Sequence, residues 1–195
     1  MKETGLMFKA PLVRAILSGQ KTQTRRMVNP QPHEDRMHQS VDPPTRGSAG
    51  EWTWWAGNHT QGIYHSAKCP FGKPGDRIYV RETFANHPKF PQIAFRADGE
   101  EFEDADGWLW EPKWTPCLLM PKTAARIWLE ITGVRVERLQ SISRGDAMAE
   151  GCPFPNMADG ADPREWFAEV WKSTGGDWVA NPWVWAIDFK RIDKP

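Results

Sequence analysis

Gly19-Gln20-Lys21-Thr22-Gln23-Thr24-Arg25-Arg26 is the stretch on which the reading of this chain turns. It follows Pro11 to Ser18, where Leu12, Val13, Ile16 and Leu17 fall at helical spacing and give one apolar face. Pro11 suits a first helical turn, and Gly19 suits a helix end because glycine takes the left-handed backbone without a Cβ clash. A turn and then a strand should come next. Alternation from Thr22 to Val28 predicts that strand, with Thr22, Thr24 and Arg26 on one side and Gln23 and Arg25 on the other. Lys21 then stands at the corner between helix and strand, close to two hydroxyls and two guanidinium groups. Lysine with a hydroxyl is a base and nucleophile pair, and arginine holds a phosphate or polarises a carbonyl. The same residues also make an ordinary solvated strand edge, and both readings stay open at this point. The Gly-x-Lys-Thr string is not a nucleotide-binding P-loop. It lacks the earlier glycine, has an extra residue before the lysine, and follows a helix where a P-loop precedes one.

The whole chain narrows the field. Its 195 residues are enough for one well-buried core and short for two domains, and no repeat or linker divides it. Lys+Arg and Asp+Glu are 25 each, so the net charge is zero, which argues against tight, sequence-blind binding to long nucleic acid. The charge is unevenly spread, however. Cations dominate up to Arg26, and Asp98, Glu100, Glu101, Glu103, Asp104, Asp106 and Glu111 form an acidic block. Cys69, Cys117 and Cys152 have no Cys-x-x-Cys spacing and read as reduced thiols. No signal-peptide core and no run of membrane-span length is present, so the expectation is a soluble, cytoplasmic protein with no membrane partner. No cofactor fingerprint occurs, and none is expected. His65 and Cys69, with Cys152 or His59, have the residue types of a zinc site, but no second paired motif accompanies them and zinc is not favoured. Tryptophan is the odd feature, 12 beside two tyrosines; such rings fill a core or line a pocket for flat bases.

Along the chain, residues 29–74 read as a long irregular insertion rich in proline and glycine. Within it Glu51-Trp52-Thr53-Trp54-Trp55 is a short strand or flap, its rings covering the core or forming a lid over a ligand. Lys73-Pro74-Gly75-Asp76 is a turn that launches the strand Arg77 to Phe84, and Ile93 to Ala97 is a short partner. Glu82 beside Arg81 reads as a strand ion pair more readily than as a pocket group. The longest alternating run is Ala125 to Leu139, where Gly133 marks a bulge or bend. Ser143 caps a short helix through Glu150, with Asp146 at the capping-box position and Gly151 as the stop. Asp162-Pro163 opens another helix with Trp166, Phe167, Val170 and Trp171 on its buried face, and Pro182 to Ile192 is the last strand. These elements predict an α+β domain built on a small closed or nearly closed barrel.

The order of these parts resembles the ASCH domain family, whose fold is a PUA-like β-barrel. Lys21-Thr22-Gln23-Thr24-Arg25-Arg26, Cys69-Pro70-Phe71-Gly72-Lys73-Pro74-Gly75-Asp76-Arg77, Val80-Arg81-Glu82-Thr83 and Asn181-Pro182-Trp183-Val184-Trp185 look like the ASCH-like proteins carried by bacteriophages and prophages. The resemblance runs over nearly the whole chain and implies a pocket suited to RNA or a modified nucleoside. One branch of the family removes the acetyl group from N4-acetylcytidine with a lysine, a threonine and a glutamate, which align with Lys21, Thr24 and Glu150. By the same resemblance Thr22, Arg25, Arg26, Arg81, Glu82, Trp54 and Trp55 are candidate substrate contacts, and no metal takes part. This chain departs from that branch in its 29–74 insertion, its acidic block, and Arg25 where the branch has an apolar residue. Some relatives have been linked to ribonuclease activity.

Amide hydrolysis by Thr24 needs a neutral Lys21 to accept the hydroxyl proton. A free lysine has a pKa of about 10.4, so burial and a nearby arginine would have to lower it. Residues three apart on a regular strand face opposite ways, so Lys21 must reach in from the turn while Thr24 points in from the strand. Three functions are then in play: an amidohydrolase on a modified base, a non-catalytic RNA-binding module, and a protein-interaction factor using the insertion and the acidic loop. The last predicts an exposed apolar patch around Trp52 to Trp55.

Overall fold

The long alternating run becomes the central strand of the molecule. In the computed structural model residues 1–32, 45–47, 50–55, 63–99, 101–153 and 162–195 are described. A five-stranded sheet has the order β1 (Glu3–Met7), β6 (Arg77–Arg81), β11 (Trp128–Arg138), β12 (Trp183–Ile192), β2 (Gln23–Met27). β1 and β6 are parallel and the other pairs antiparallel. The register of β11 on β12 slips between Ile131 and Gly133, so the bulge lies at the expected glycine. A Cβ there would sit 2.7 Å from Asp188 Oδ2, which is why the position carries none.

The expected barrel does not close. β1 and β2 are outer strands with no ladder between them. The chain leaves β1 through Phe8, whose N–H still bonds to Arg81 on the β6 side, and turns at once into helix α1 (Ala10–Leu17), so no strand length remains to pair with β2. One side chain links the two edges: Arg26 Nη2 donates to the Met7 carbonyl at 2.8 Å.

The insertion is less irregular than its composition predicts. β3 (Thr45–Arg46), β4 (Glu51–Trp55) and β5 (Ile63–Lys68) form an antiparallel sheet, and Trp54 packs edge-on to His65 and to Trp183 of β12, at 5.0 and 5.9 Å between ring centroids. The strand expected through Phe84 stops at Arg81, and β7 (Phe84–Asn86) begins a separate pair with β8 (Ile93–Phe95). The acidic block is a small hairpin, β9 (Phe102–Glu103) with β10 (Leu109–Trp110).

α2 (Arg144–Ala149) starts at Ser143, which accepts from the Asp146 N–H, and α3 (Pro163–Ser173) starts at Asp162, which accepts from the Arg164 N–H. Their apolar faces, through Ala147, Phe167 and Trp171, join Leu139 and Val184 in a second core. Trp185, Ile187 and Phe189 enter the main core with Val13 and Ile16 of α1, so β12 is covered on both faces. Among the described residues no helix is long and apolar enough to cross a membrane.

Candidate functional site

Two helix ends meet at Lys21. α1 stops at Leu17, Gly19 turns the chain with φ +78°, and the Lys21 N–H bonds back to the Ala15 carbonyl at 2.9 Å. α2 stops just before Glu150, and Gly151 turns the chain with φ +99°. The helix ends are tight together: a Cβ on Gly151 would lie 2.9 Å from Ala15 Cβ and 3.3 Å from Lys21 Cβ. Thr22 locks the corner through its backbone, its N–H on the Ala149 carbonyl and its carbonyl under the Phe189 N–H, both at 2.9 Å, while its side chain is exposed.

Lys21 and Glu150 are 2% and 4% exposed, and Lys21 Nζ lies 2.5 Å from Glu150 Oε2. Nζ also donates to the carbonyls of Gln23 at 2.7 Å and Glu150 at 2.9 Å. An ammonium has three N–H donors, so all are engaged. Burial pushes the Lys21 pKa down, Glu150 opposes it, and the charges of Arg26 and Arg25 reinforce the lowering.

Behind this pair is a network that the sequence reading did not foresee. Arg25, 1% exposed, donates to Glu150 Oε1 at 3.1 Å, to Gln23 Oε1 at 2.5 Å, and twice to Glu137 Oε1, at 2.8 and 2.5 Å. Arg135 bonds to Glu137 at 3.1 Å, Asp146 at 2.9 Å and Asp188 at 3.0 Å. Gln23 Nε2 joins Asp188 at 2.5 Å to Asp146 at 3.1 Å. The Asp146 carboxyl is held below the usual range: burial raises it, but Ser143, Gln23, Arg135 and Arg25 together outweigh that. Strands β2, β11 and β12 and helix α2 are thereby cross-braced through paired charges, the form in which buried polar groups add rigidity. One signal in the sequence pointed here. Asp188 is an acid that follows five apolar residues in the last strand, Trp183 to Ile187, and an acid so placed calls for a partner.

The predicted residues divide. Lys21, Glu150 and Arg25 come together as described. Thr24 is 1% exposed, opposite Ile187 in the ladder, and makes no hydrogen bond to Lys21. Arg26 lies over the Phe8 ring, its Cζ 5.1 Å from the centroid, and Lys21 Nζ is 5.8 Å from the same centroid. Glu82 does not pair with Arg81. Its buried carboxylate is held in two-point fashion by Arg126 at 2.9 and 3.0 Å, with burial raising its pKa against that partner. Arg81 instead donates to the Leu118 carbonyl. Trp54, 2% exposed, belongs to the core and not to a lid; Trp52 is half-buried, and the Trp55 side chain lies outside the described residues. No exposed aromatic patch is formed there by the described side chains. Among the described residues no three His, Cys, Asp or Glu side chains cluster as metal ligands, and His59 is not among them. Among the described residues, two surface clefts lie away from this corner. One of about 330 Å³ is bordered by Gln140, Arg164 and Trp178, and one of about 480 Å³ by Lys122, Trp128 and Lys194.

No protein-family model matches this chain, and no curated protein does. Among solved structures it is similar to an ASCH domain from Lactobacillus crispatus, with 12% identity, 99% of this chain and 81% of that one covered, and a TM-score of 0.40. It is also similar to a protein of Enterococcus faecalis assigned to DUF984, with 12% identity, the same coverage of 99% and 81%, and a TM-score of 0.38. Likenesses at this level concern the general course of the chain and carry no function.

Proposed function

We propose that the protein binds a nucleoside or RNA at the Lys21–Glu150 corner and hydrolyses an amide on a modified base, N4-acetylcytidine being the sharpest case. The observation that carries this reading is the 2.5 Å contact between an ammonium and a carboxylate that are both buried. Moving one proton from Lys21 to Glu150 turns two desolvated charges into a neutral amine and a neutral acid, and so provides a base and an acid side by side. The lowered Lys21 pKa works in the same direction.

From that form the chemistry balances. Lys21 takes the Thr24 hydroxyl proton as Oγ attacks the acyl carbon, and when the C–N bond breaks the Glu150 carboxylic acid gives its proton to the leaving amine. The acyl group is then an ester of Thr24. Water attacks that ester while giving a proton to Glu150, Lys21 returns a proton to the Thr24 oxygen, and the carboxylic acid leaves with the site restored. Lys21 exchanges its bond to the Gln23 carbonyl for one to Thr24 when substrate enters, a tightening common to catalytic hydrogen bonds that are loose in a free enzyme.

A second reading, a binding module without chemistry, is favoured by one observation: every N–H of the Lys21 ammonium is already engaged. The test is release of acetate from N4-acetylcytidine by the purified protein, beside Lys21→Ala and Thr24→Ala. Turnover that both substitutions abolish, in variants that still unfold cooperatively, supports the amidohydrolase. Absence of turnover in the unaltered protein overturns it, and salt-sensitive RNA binding would then support the module.

A further inference from the structure

Arg26 is the next residue after the most heavily paired arginine of the site, and its own situation is the reverse. Arg25 meets Glu137, Asp146 and Glu150, whereas no carboxylate among the described residues lies within 4.0 Å of Arg26. Its hydrogen-bond acceptors among the described residues are backbone carbonyls, Arg25 at 3.2 Å from Nη1 and Met7 at 2.8 Å from Nη2. A guanidinium carries five N–H donors in a planar fork, so most of the fork has no protein acceptor among the described residues. The group is nevertheless half-buried, and burial pushes its pKa down with Glu150 the opposing charge. A desolvated cation without an anion is costly, and the usual resolution is an anion brought by a partner.

Position then selects the anion. Arg26 and Lys21 lie against one ring, Phe8, which keeps the two cations within about 11 Å of each other. Within that limit one nucleotide can meet both, its base at Lys21 and its phosphate at Arg26. Phosphate oxygens also match the guanidinium fork better than a carbonyl does.

We infer that Arg26 is the phosphate-binding residue of the Lys21–Glu150 site, so that the substrate is a nucleotide, free or within an RNA strand, and not a free nucleoside. This rests on the nucleoside reading given above and names its substrate class. The test compares N4-acetylcytidine, its 5′-monophosphate, its 3′-monophosphate and a short single-stranded RNA with one acetylated cytidine, by calorimetric affinity and kcat/KM. The unaltered protein should prefer phosphorylated forms by about 10- to 100-fold, the effect of a charge-assisted hydrogen-bond pair. Arg26→Gln should lose that preference, read within the variant as the ratio of its kcat/KM for the nucleotide to that for the nucleoside, since the Arg26 charge also acts on Lys21. Arg26→Lys keeps the charge without the fork, and decides the matter if Arg26→Gln fails to fold: it should lower the preference severalfold. The mononucleotide and RNA arms separate a free phosphate from one in a strand. Equal treatment of nucleoside and nucleotide, or a preference unchanged in the Arg26 variants, overturns the inference and leaves the nucleoside reading standing. Failure of all four compounds to bind overturns both.

Discussion

Replacing Glu150 by glutamine removes one charge from the buried pair and keeps the shape of the side chain. Lys21 would retain its bonds to the Gln23 and Glu150 carbonyls, but the single amide oxygen can accept from Lys21 or from Arg25 and not from both, so the loss is of charge compensation for an ammonium 2% exposed and of one hydrogen bond. Removing one partner of a buried pair costs about 3–5 kcal/mol, and the retained carbonyls place this case near about 3 kcal/mol. For a chain of this length each kcal/mol lowers Tm by about 2–4 °C, which gives a fall of about 6–12 °C. The double variant Lys21→Met/Glu150→Gln removes the stranded cation and should return to within about 1 kcal/mol of the unaltered protein. Urea unfolding followed by tryptophan fluorescence, with calorimetry to check two-state behaviour, measures all three proteins. A loss below about 1 kcal/mol in Glu150→Gln, the size expected of an exposed pair, would refute the reasoning. So would a double variant no more stable than the single one.

Two other predictions follow from the same corner. The folded-state pKa of Lys21 lies below its unfolded value of about 10.4, so between the two the unfolded chain binds a proton the folded chain does not, and stability rises with pH in that window. Urea titrations of the unaltered protein and Lys21→Met from neutral pH upward should therefore show the difference moving in favour of the lysine, and a difference flat with pH counts against the burial. Gly151→Ala places a methyl against Ala15 and Lys21 at a positive φ, which should cost about 2–4 kcal/mol in chemical denaturation from the backbone and overpacking terms together; a cost under about 1 kcal/mol would show that the helix ends are not in contact.

The elements set by local chemistry were legible in the sequence. The helix before Gly19, the strand after Lys21, the Gly133 bulge and the Ser143 and Asp162 caps each depend on a few neighbouring residues, and each is found. Closure of the barrel was not legible, because it depends on where β1 ends relative to β2, and the turn at Phe8 decides that. Of the three strands of the insertion, β4 matches the short strand or flap read at Glu51 to Trp55, while β3 and β5 were hidden by proline and glycine around short runs. Lys21 was singled out by its place at the corner between helix and strand, but Glu150 was joined to it only through family resemblance, since nothing local announces that residues so distant in sequence will meet. The network behind them was out of reach for a further reason. Arg135 meets Asp188 because one extra residue in the bulge resets the β11–β12 register, and a slip of one residue would turn Asp188 to the opposite face.

The place of β2 in the sheet has a bearing on how the protein is made. β2 pairs with β12 and, among the described residues, with no other strand of the sheet, Thr24 opposite Ile187. A ribosome adding about 5–20 residues per second therefore reaches β12 on the order of ten seconds after it has finished β2. Glu137, Asp146 and Glu150 are added within that interval, but β2, which carries Gln23 and Arg25 and follows Lys21, has no strand to pair with until β12 brings its own acid, Asp188. β1 and β6 are synthesised much closer together, so the sheet has a pairing available at one edge long before the other. The corner that holds Lys21 against Glu150 is then among the last parts of the molecule to assemble, and a chain halted before β12 carries the residues of the site without the site.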